Sequence, residues 1–183
     1  MRVIGGIVKG SKLKTLEGDN TRPTLDRVKE SLYNIINFNI LDSKILDLFS
    51  GSGSLAIEAL SRGAEFAVLC DNNKTAIDII EQNVKKTRFE AKCKIVKMDY
   101  RECLKELSKG NIKYDVIFLD PPYDSDFGID SINKISDLDL LDKDGIIIFE
   151  TDKYNIPDEI GIYKKYDARK YGKAMILFFA ERG

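Results

Sequence analysis

The chain contains no histidine. That absence removes His-based triads, His general bases and His-ligated metal sites together. Cysteine is scarce: Cys70, Cys93 and Cys103 form an odd set without a C-x-x-C spacing. They read as small apolar residues in a reduced compartment, not as a disulfide frame or a zinc site, and no metal is expected. Long apolar runs are missing too. None approaches the ~18 residues that would span a bilayer, and the start of the chain lacks the apolar core of a signal peptide. A cytoplasmic chain that makes no use of a membrane is expected. Nor does one sign of charge dominate, since the formal net charge is −1, so composition leaves the partner open.

What is present suffices for a core. With 183 residues and 43% hydrophobic content, residues 1–183 are expected to form a single domain. A domain of this length buries roughly 70% of its unfolded surface without needing a staple. From Lys44 onward short β-rich runs alternate with amphipathic stretches, the pattern of an α/β parallel sheet. The expected strands are Ile45 to Phe49, Phe66 to Asp71, Cys93 to Lys97, Asp115 to Leu119 and Gly145 to Glu150. Asp115 to Leu119 is nearly all apolar, as burial on both faces requires. The intervening helices carry Ile77, Ile80 and Val84, then Leu104 and Leu107, then Ile129, Ile132 and Ile135. Ile162 to Ala168 and Ala174 to Ala180 flank a loop at Gly172 and read as an antiparallel hairpin. Parallel units closing on such a hairpin resemble a seven-stranded, mostly parallel class I methyltransferase sheet of Rossmann-like type more than a dinucleotide fold.

A separate piece precedes this core. Within residues 1–40, Val3 to Leu13 is expected to be a small hairpin turning at Gly10-Ser11. Arg22-Pro23-Thr24 then opens a helix, with Thr24 as its cap and Asp26 in its first turn. Leu25, Val28, Leu32, Ile35 and Ile36 form the expected buried stripe. Between Met1 and Lys29 basic residues outnumber acidic ones, a weak sign of a polyanion-facing end of a core that runs over 44–183.

Asp47-Leu48-Phe49-Ser50-Gly51-Ser52-Gly53-Ser54-Leu55-Ala56 lies at a strand-to-helix junction. Gly51 and Gly53 permit a tight turn and close approach of a ligand to the backbone. Alone, this spacing fits a dinucleotide equally well. Two carboxylates shift the balance. Asp47, at the inward end of the strand, can pair with a ligand ammonium, whereas it would repel a pyrophosphate placed at the same turn. Asp71 ends the second strand, where a carboxylate can accept hydrogen bonds from two ribose hydroxyls. Asn72 adjoins it, Phe49 belongs to the loop, Asp99 can take an adenine amino group, and Tyr100 can lie beside the ring.

Asp120-Pro121-Pro122-Tyr123 follows the fourth strand. Two prolines fix φ and remove two donors, so the carbonyls are expected to face the cleft without local partners. An aromatic exocyclic amine attacks a sulfonium methyl poorly because its lone pair is delocalised. Accepting its two N–H bonds on Asp120 and the Pro121 carbonyl frees that lone pair and stabilises the cationic nitrogen that forms. Tyr123 can stack on the base, worth about 1–3 kcal/mol.

Together, Arg2-Val3-Ile4-Gly5-Gly6, Arg22-Pro23-Thr24-x-Asp26-Arg27-Val28, the glycine loop and the Asp-Pro-Pro-Tyr segment closely resemble the bacterial 16S ribosomal RNA guanine-N2 methyltransferases of the RsmD type. The resemblance runs through essentially the whole chain, including Tyr171-Gly172. It implies S-adenosylmethionine as cofactor and one guanine of 16S rRNA as substrate, on the 30S subunit or an assembly intermediate. It implies catalytic roles for Asp120, Pro121 and Tyr123 and cofactor contacts from Asp47, Gly51, Gly53, Asp71 and Asp99. Pro122 completes the catalytic segment, and a monomer is expected. One departure is Asp71-Asn72-Asn73, where relatives commonly carry Glu-x-Asp. For RNA contact the candidates are Arg2, Lys9, Lys12, Arg22 and Arg27, which would grip phosphates around an unpaired or flipped base. Arg27 has a blander alternative in pairing with Glu30 or Asp26.

The rival readings are a DNA adenine-N6 or cytosine-N4 methyltransferase, a protein-glutamine methyltransferase, a catalytically silent RNA-binding assembly factor and a nicotinamide-dependent oxidoreductase. The DNA enzymes usually carry a target-recognition insert for which this sequence leaves no room.

Overall fold

The computed structural model describes residues 1–16, 23–123 and 125–181. Helix α1 (Pro23–Ile35) leads into a regular alternation of strand and helix. This comprises β1 (Lys44–Asp47), α2 (Ser54–Ser61), β2 (Phe66–Asp71), α3 (Lys74–Thr87), β3 (Cys93–Lys97), α4 (Tyr100–Ser108), β4 (Tyr114–Leu119), α5 (Phe127–Asp137) and β5 (Leu141–Thr151). The chain then adds β6 (Glu159–Ile160), β7 (Tyr163–Tyr171) and β8 (Ala174–Glu181).

Among the described residues, eight strands form one sheet in the order β3-β2-β1-β4-β5-β8-β7-β6. The first five pair in parallel, and β8, β7 and β6 are antiparallel. This is the expected class I methyltransferase sheet with its C-terminal hairpin, widened by one strand. The addition is the two-residue β6, held at the edge because Ile160 and Tyr163 pair and both are buried.

Alternation along the central strands feeds two cores. Val116 and Phe118 join a cluster with residues of α1, α2 and α3, while Ile117 and Leu119 join one with residues of α4 and α5. A strand covered on both faces needs apolar residues at every position, which explains the unbroken run in β4. Cys70 and Cys103 are buried, Cys93 is half-buried, and all three are free thiols. Strand order reverses around β1, between β2 and β4, and opens a crevice at the carboxyl ends of these strands.

The N-terminal segment departs from expectation. A single antiparallel bridge joins Arg2 and Lys12, and the reversal closes through successive turns over residues 6–9 and 8–11, so the chain turns slightly before the expected Gly10-Ser11 pair. Other bonds of the segment go to α2. Ile4 N and Gly5 N donate to the Glu58 carboxylate at 2.7 Å each, and Ile7 N donates to the Ser61 carbonyl at 2.8 Å. Gly6 has φ 77° and packs so closely on Ser61 that an added Cβ would lie 1.8 Å from its carbonyl oxygen. The loop is shaped by a foreign helix end, which local turn propensity cannot report.

Helix α1 is also rotated from expectation. Among the described residues Lys29, Leu32 and Tyr33 of the helix and Ile36 just after it are buried, spaced i, i+3, i+4, i+7, while Ile35 is 37% exposed. The face turns because Lys29 is drawn inward: its Nζ donates to the Arg2 carbonyl at 2.6 Å and pairs with Glu58 at 3.3 Å. Val28 is half-buried beside it, while the side chains of Thr24 and Leu25 lie outside the described residues.

Candidate active site

The glycine loop folds as a succession of short backbone bonds beyond β1. Ser50 N donates to the Cys70 carbonyl at 3.0 Å, and Gly53 N donates to the Ser50 carbonyl at 2.7 Å. Gly53 has φ 75°, and a Cβ there would meet Leu69 Cδ2 at 2.9 Å, so both conformation and packing demand glycine. The loop curls around Asp47, which is only 1% exposed. Its Oδ2 accepts one long hydrogen bond from Ala56 N at 3.4 Å, and among the described residues its Oδ1 has no partner. Burial raises this carboxyl to about pH 7, against the Ala56 and Ser50 hydrogen bonds and with a further push from the Asp71 charge.

Asp71 ends β2 and holds the loop. Its Oδ2 accepts from Gly51 N and its Oδ1 from Asn73 N, both at 2.9 Å. Asn73 caps α3 by accepting from Thr75 N at 2.8 Å. Asp99 likewise acts as a cap, taking Arg101 N at 2.9 Å at the start of α4. Tyr100 is buried and donates its hydroxyl to Asp130 Oδ2 at 2.7 Å. Its ring lies 5.3 Å from Phe49 and 5.1 Å from Phe127, centroid to centroid. The Arg101 guanidinium covers Tyr100 at 4.5 Å.

The turn after β4 places Asp120 and Tyr123 at the rim. Pro121 is buried; Pro122 is exposed, and its carbonyl faces back into its own loop. There it accepts from Ser125 N at 3.1 Å and Ser125 Oγ at 2.6 Å, correcting the expectation that both proline carbonyls stay free. Ser125 is near enough in sequence to close a tight turn that the proline dipeptide alone does not reveal. Lys153 fastens this loop through the Ser125 carbonyl at 2.9 Å and Asp126 Oδ1 at 2.8 Å. Tyr123, 45% exposed, donates its hydroxyl to Glu150 Oε1 at 3.1 Å. Burial and the neighbouring carboxylates push that phenol well above its usual range, and burial raises Glu150 despite the Tyr123 bond.

These residues surround two adjoining cavities that share Phe49, Gly51, Asp120 and Tyr123. One, of about 410 Å³, is lined by Asp71, Asn72, Tyr100, Phe127 and the two prolines. The other, of about 260 Å³, is lined by Asp47, Lys29, Glu150 and apolar residues including Leu32, Ile148 and Ile176. The sequence-predicted acids Asp47, Asp71 and Asp120 thus converge, while Asp99 and Gly53 stand behind the lining. Sequence reasoning missed Phe127, Lys29 and Glu150. Glu150 lies one residue short of the end of β5, near the carboxyl end of a buried strand as Asp47 and Asp71 are, and the same rule could have found it.

The basic candidates scatter. Arg2 is exposed and pairs with Asp26 at 3.0 Å, while among the described residues no ion pair joins Arg27 to Asp26 or Glu30. Lys9 belongs to the reversal docked on Ser61, at the opposite end of α2 from the glycine loop, about 12 Å away. Lys12 is exposed beside α3, where its carbonyl accepts from Lys86. Arg27 is exposed on α1, and Arg22 lies outside the described residues. Among the described residues no cluster of acids and cysteines could hold a metal ion, and no helix is long and apolar enough to cross a membrane.

The chain matches the family described as conserved hypothetical protein 95 over residues 1–180. It is 35% identical to the Bacillus subtilis protein YlbH, provisionally named an rRNA methyltransferase, over the full length of both chains. Ribosomal RNA small subunit methyltransferase D of Haemophilus influenzae is 33% identical over 84% of this chain and 79% of that one. Among solved structures, the Escherichia coli protein yhhF, provisionally named a methyltransferase, superposes with a TM-score of 0.85 at 25% identity. That match covers 100% of this chain and 98% of the other.

Proposed function

This chain belongs to the conserved hypothetical protein 95 family, alongside the ribosomal RNA small subunit methyltransferases D, and we propose that it methylates the exocyclic N2 amine of a guanine in 16S ribosomal RNA from S-adenosylmethionine. The observation that carries this reading is the meeting, in one cavity, of a buried carboxylate oxygen without a donor among the described residues and Asp120 and Tyr123 of the Asp-Pro-Pro-Tyr turn.

The residues fit the cofactor. Asp47 Oδ1 is the complement of its ammonium group. Asp71, although bonded to Gly51 and Asn73, retains acceptor sites on both oxygens for ribose hydroxyls. Phe49, Tyr100 and Phe127 offer an aromatic wall for the adenine, with Asn72 at its edge. Asp99 enters this reading only through the oxygen that does not cap α4. Bound there, S-adenosylmethionine supplies a methyl group activated on a sulfonium. The protein's part is to orient the amine. Asp120 and the Pro121 carbonyl accept its two N–H bonds, concentrate the lone pair on nitrogen, and stabilise the positive charge that develops as the bond forms. The product amine then releases its extra proton without a dedicated base, in keeping with a chain that has no histidine.

In this reading residues 1–40 face the RNA and act as one unit with the core. Arg2, Lys12 and Arg27, with Arg22, hold phosphates around a base turned out of its stack, and Lys9 contacts a more distant part. The enzyme works as a cytoplasmic monomer on 16S rRNA, free or within an assembling 30S subunit. Asp120→Ala tests the reading. Methyl transfer should fall by about 10²–10³-fold while RNA binding in a filter assay stays within about twofold, because phosphate contacts supply most of that affinity. Transfer at the wild-type rate would refute it.

A further inference from the structure

The turn after β4 does not by itself select an amine. Adenine N6, cytosine N4 and guanine N2 each offer two N–H bonds to Asp120 and the Pro121 carbonyl. The ring atom beside the amine is what differs. Adenine N1 and cytosine N3 are bare acceptors, whereas guanine N1 carries a hydrogen. A group that can only accept, placed beside Asp120, would therefore favour guanine and repel the other two bases.

Glu150 occupies that place. Leu119 and Phe149 are register partners in the parallel pair β4–β5, so Asp120, the residue just past β4, follows on beside Glu150, the last residue but one of β5. Neighbouring strands lie about 4.8 Å apart, a spacing that lets adjacent acids address neighbouring atoms on one edge of a base. Both residues line the 260 Å³ cavity, whose apolar walls at Leu32, Ile148 and Ile176 suit a flat ring. Tyr123 donates to Glu150 Oε1 at 3.1 Å, which restrains the carboxyl and leaves it further acceptor capacity. Burial raises the cost of leaving this acid unmatched, and an N–H donor would relieve it.

We propose that Glu150 is the residue that determines base specificity: its carboxylate accepts the N1–H of the target guanine while N2 sits between Asp120 and the Pro121 carbonyl. Tyr123 positions that carboxylate. The inference rests on the reading that guanine N2 is the methylated atom.

The test uses 16S rRNA assembled by ligation, carrying at the mapped target site either guanosine or 2-aminopurine riboside. The latter keeps the C2 amine but has a bare N1 acceptor. The wild-type enzyme should prefer guanosine in kcat/KM by on the order of 10²-fold or more. Glu150→Gln, whose amide can donate to a bare N1, should narrow the preference to below about tenfold, with an unchanged melting temperature as the folding control. Equal wild-type kcat/KM on both RNAs would overturn the inference while leaving guanine methylation intact, and so would full preference in a folded Glu150→Gln. Methylation of no guanosine in any 16S substrate would instead overturn the parent reading, and this inference with it.

Discussion

Asp47 and Glu58 are both sealed from solvent, yet one is saturated and the other is not. Glu58, on α2, accepts from Ile4 N, Gly5 N and Arg62 Nε at 2.7–2.8 Å and pairs with Lys29 at 3.3 Å. Burial lowers the Lys29 pKa, and the nearby carboxylate opposes that loss of charge. Asp47, at the end of β1, has one long bond from Ala56 N and an oxygen with no partner among the described residues. The two acids are equally hidden, so burial alone does not assign a role. What separates them is whether the fold itself completes their hydrogen bonds. The completed carboxylate fastens the N-terminal segment to the core, whereas the incomplete one is the residue proposed to take the cofactor's ammonium group.

The largest expected effect lies at the saturated site. Glu58→Ala leaves two cationic side chains and two backbone N–H groups without their acceptor. It should lower unfolding free energy in urea by about 3–5 kcal/mol. A loss below about 1 kcal/mol would mean that the cluster is held by something else.

At the unsaturated site the sign reverses. The folded-state pKa of Asp47, about 7, lies above that of an unfolded aspartate, about 3.9. Its contribution to stability is therefore complete below about pH 4 and is lost as pH rises through about 7. Asp47→Asn removes this loss, so the variant should gain on the wild type in urea denaturation between pH 4 and 7. Cofactor binding moves the other way. Affinity for S-adenosylmethionine in calorimetry should fall by about 2–4 kcal/mol, and only the wild type should bind more tightly as pH rises from 5 to 7. A pH-independent wild-type affinity would break the contrast.

Asp71 sharpens the comparison from between the extremes, since its oxygens are bonded but not exhausted. Asp71→Ala should weaken cofactor binding by about 1–3 kcal/mol, the worth of charge-assisted hydrogen bonds. Unchanged affinity would confine Asp71 to holding Gly51.

The same contrast marks what the sequence reveals. The strands Phe66–Asp71 and Cys93–Lys97 fall where the β-rich runs lie, because alternation and turn residues are local signals. The glycine loop and the Asp-Pro-Pro-Tyr turn are legible for the same reason: their candidate residues are contiguous. The N-terminal loop is not, because Glu58 and Ser61, some fifty residues away, shape it. Tyr33 displaces Ile35 from the buried face of α1 because Lys29, read as part of a basic end, turns inward toward that same acid. Asp99 and Asn73 show the converse difficulty. At a strand-to-helix junction, an acid or amide that caps the helix and one that binds a ligand look alike in sequence.

Incubating the protein with methyl-labelled S-adenosylmethionine and either naked 16S rRNA or 30S subunits from a strain deleted for the gene, followed by mass-spectrometric mapping of the product, tests the central claim most directly. One N2-methylguanosine is expected at a single site in at least one substrate, with transfer slower by about 10²–10³-fold for Asp120→Ala. Label on adenine N6 or cytosine N4, or none in the RNA while the cofactor binds, would contradict it.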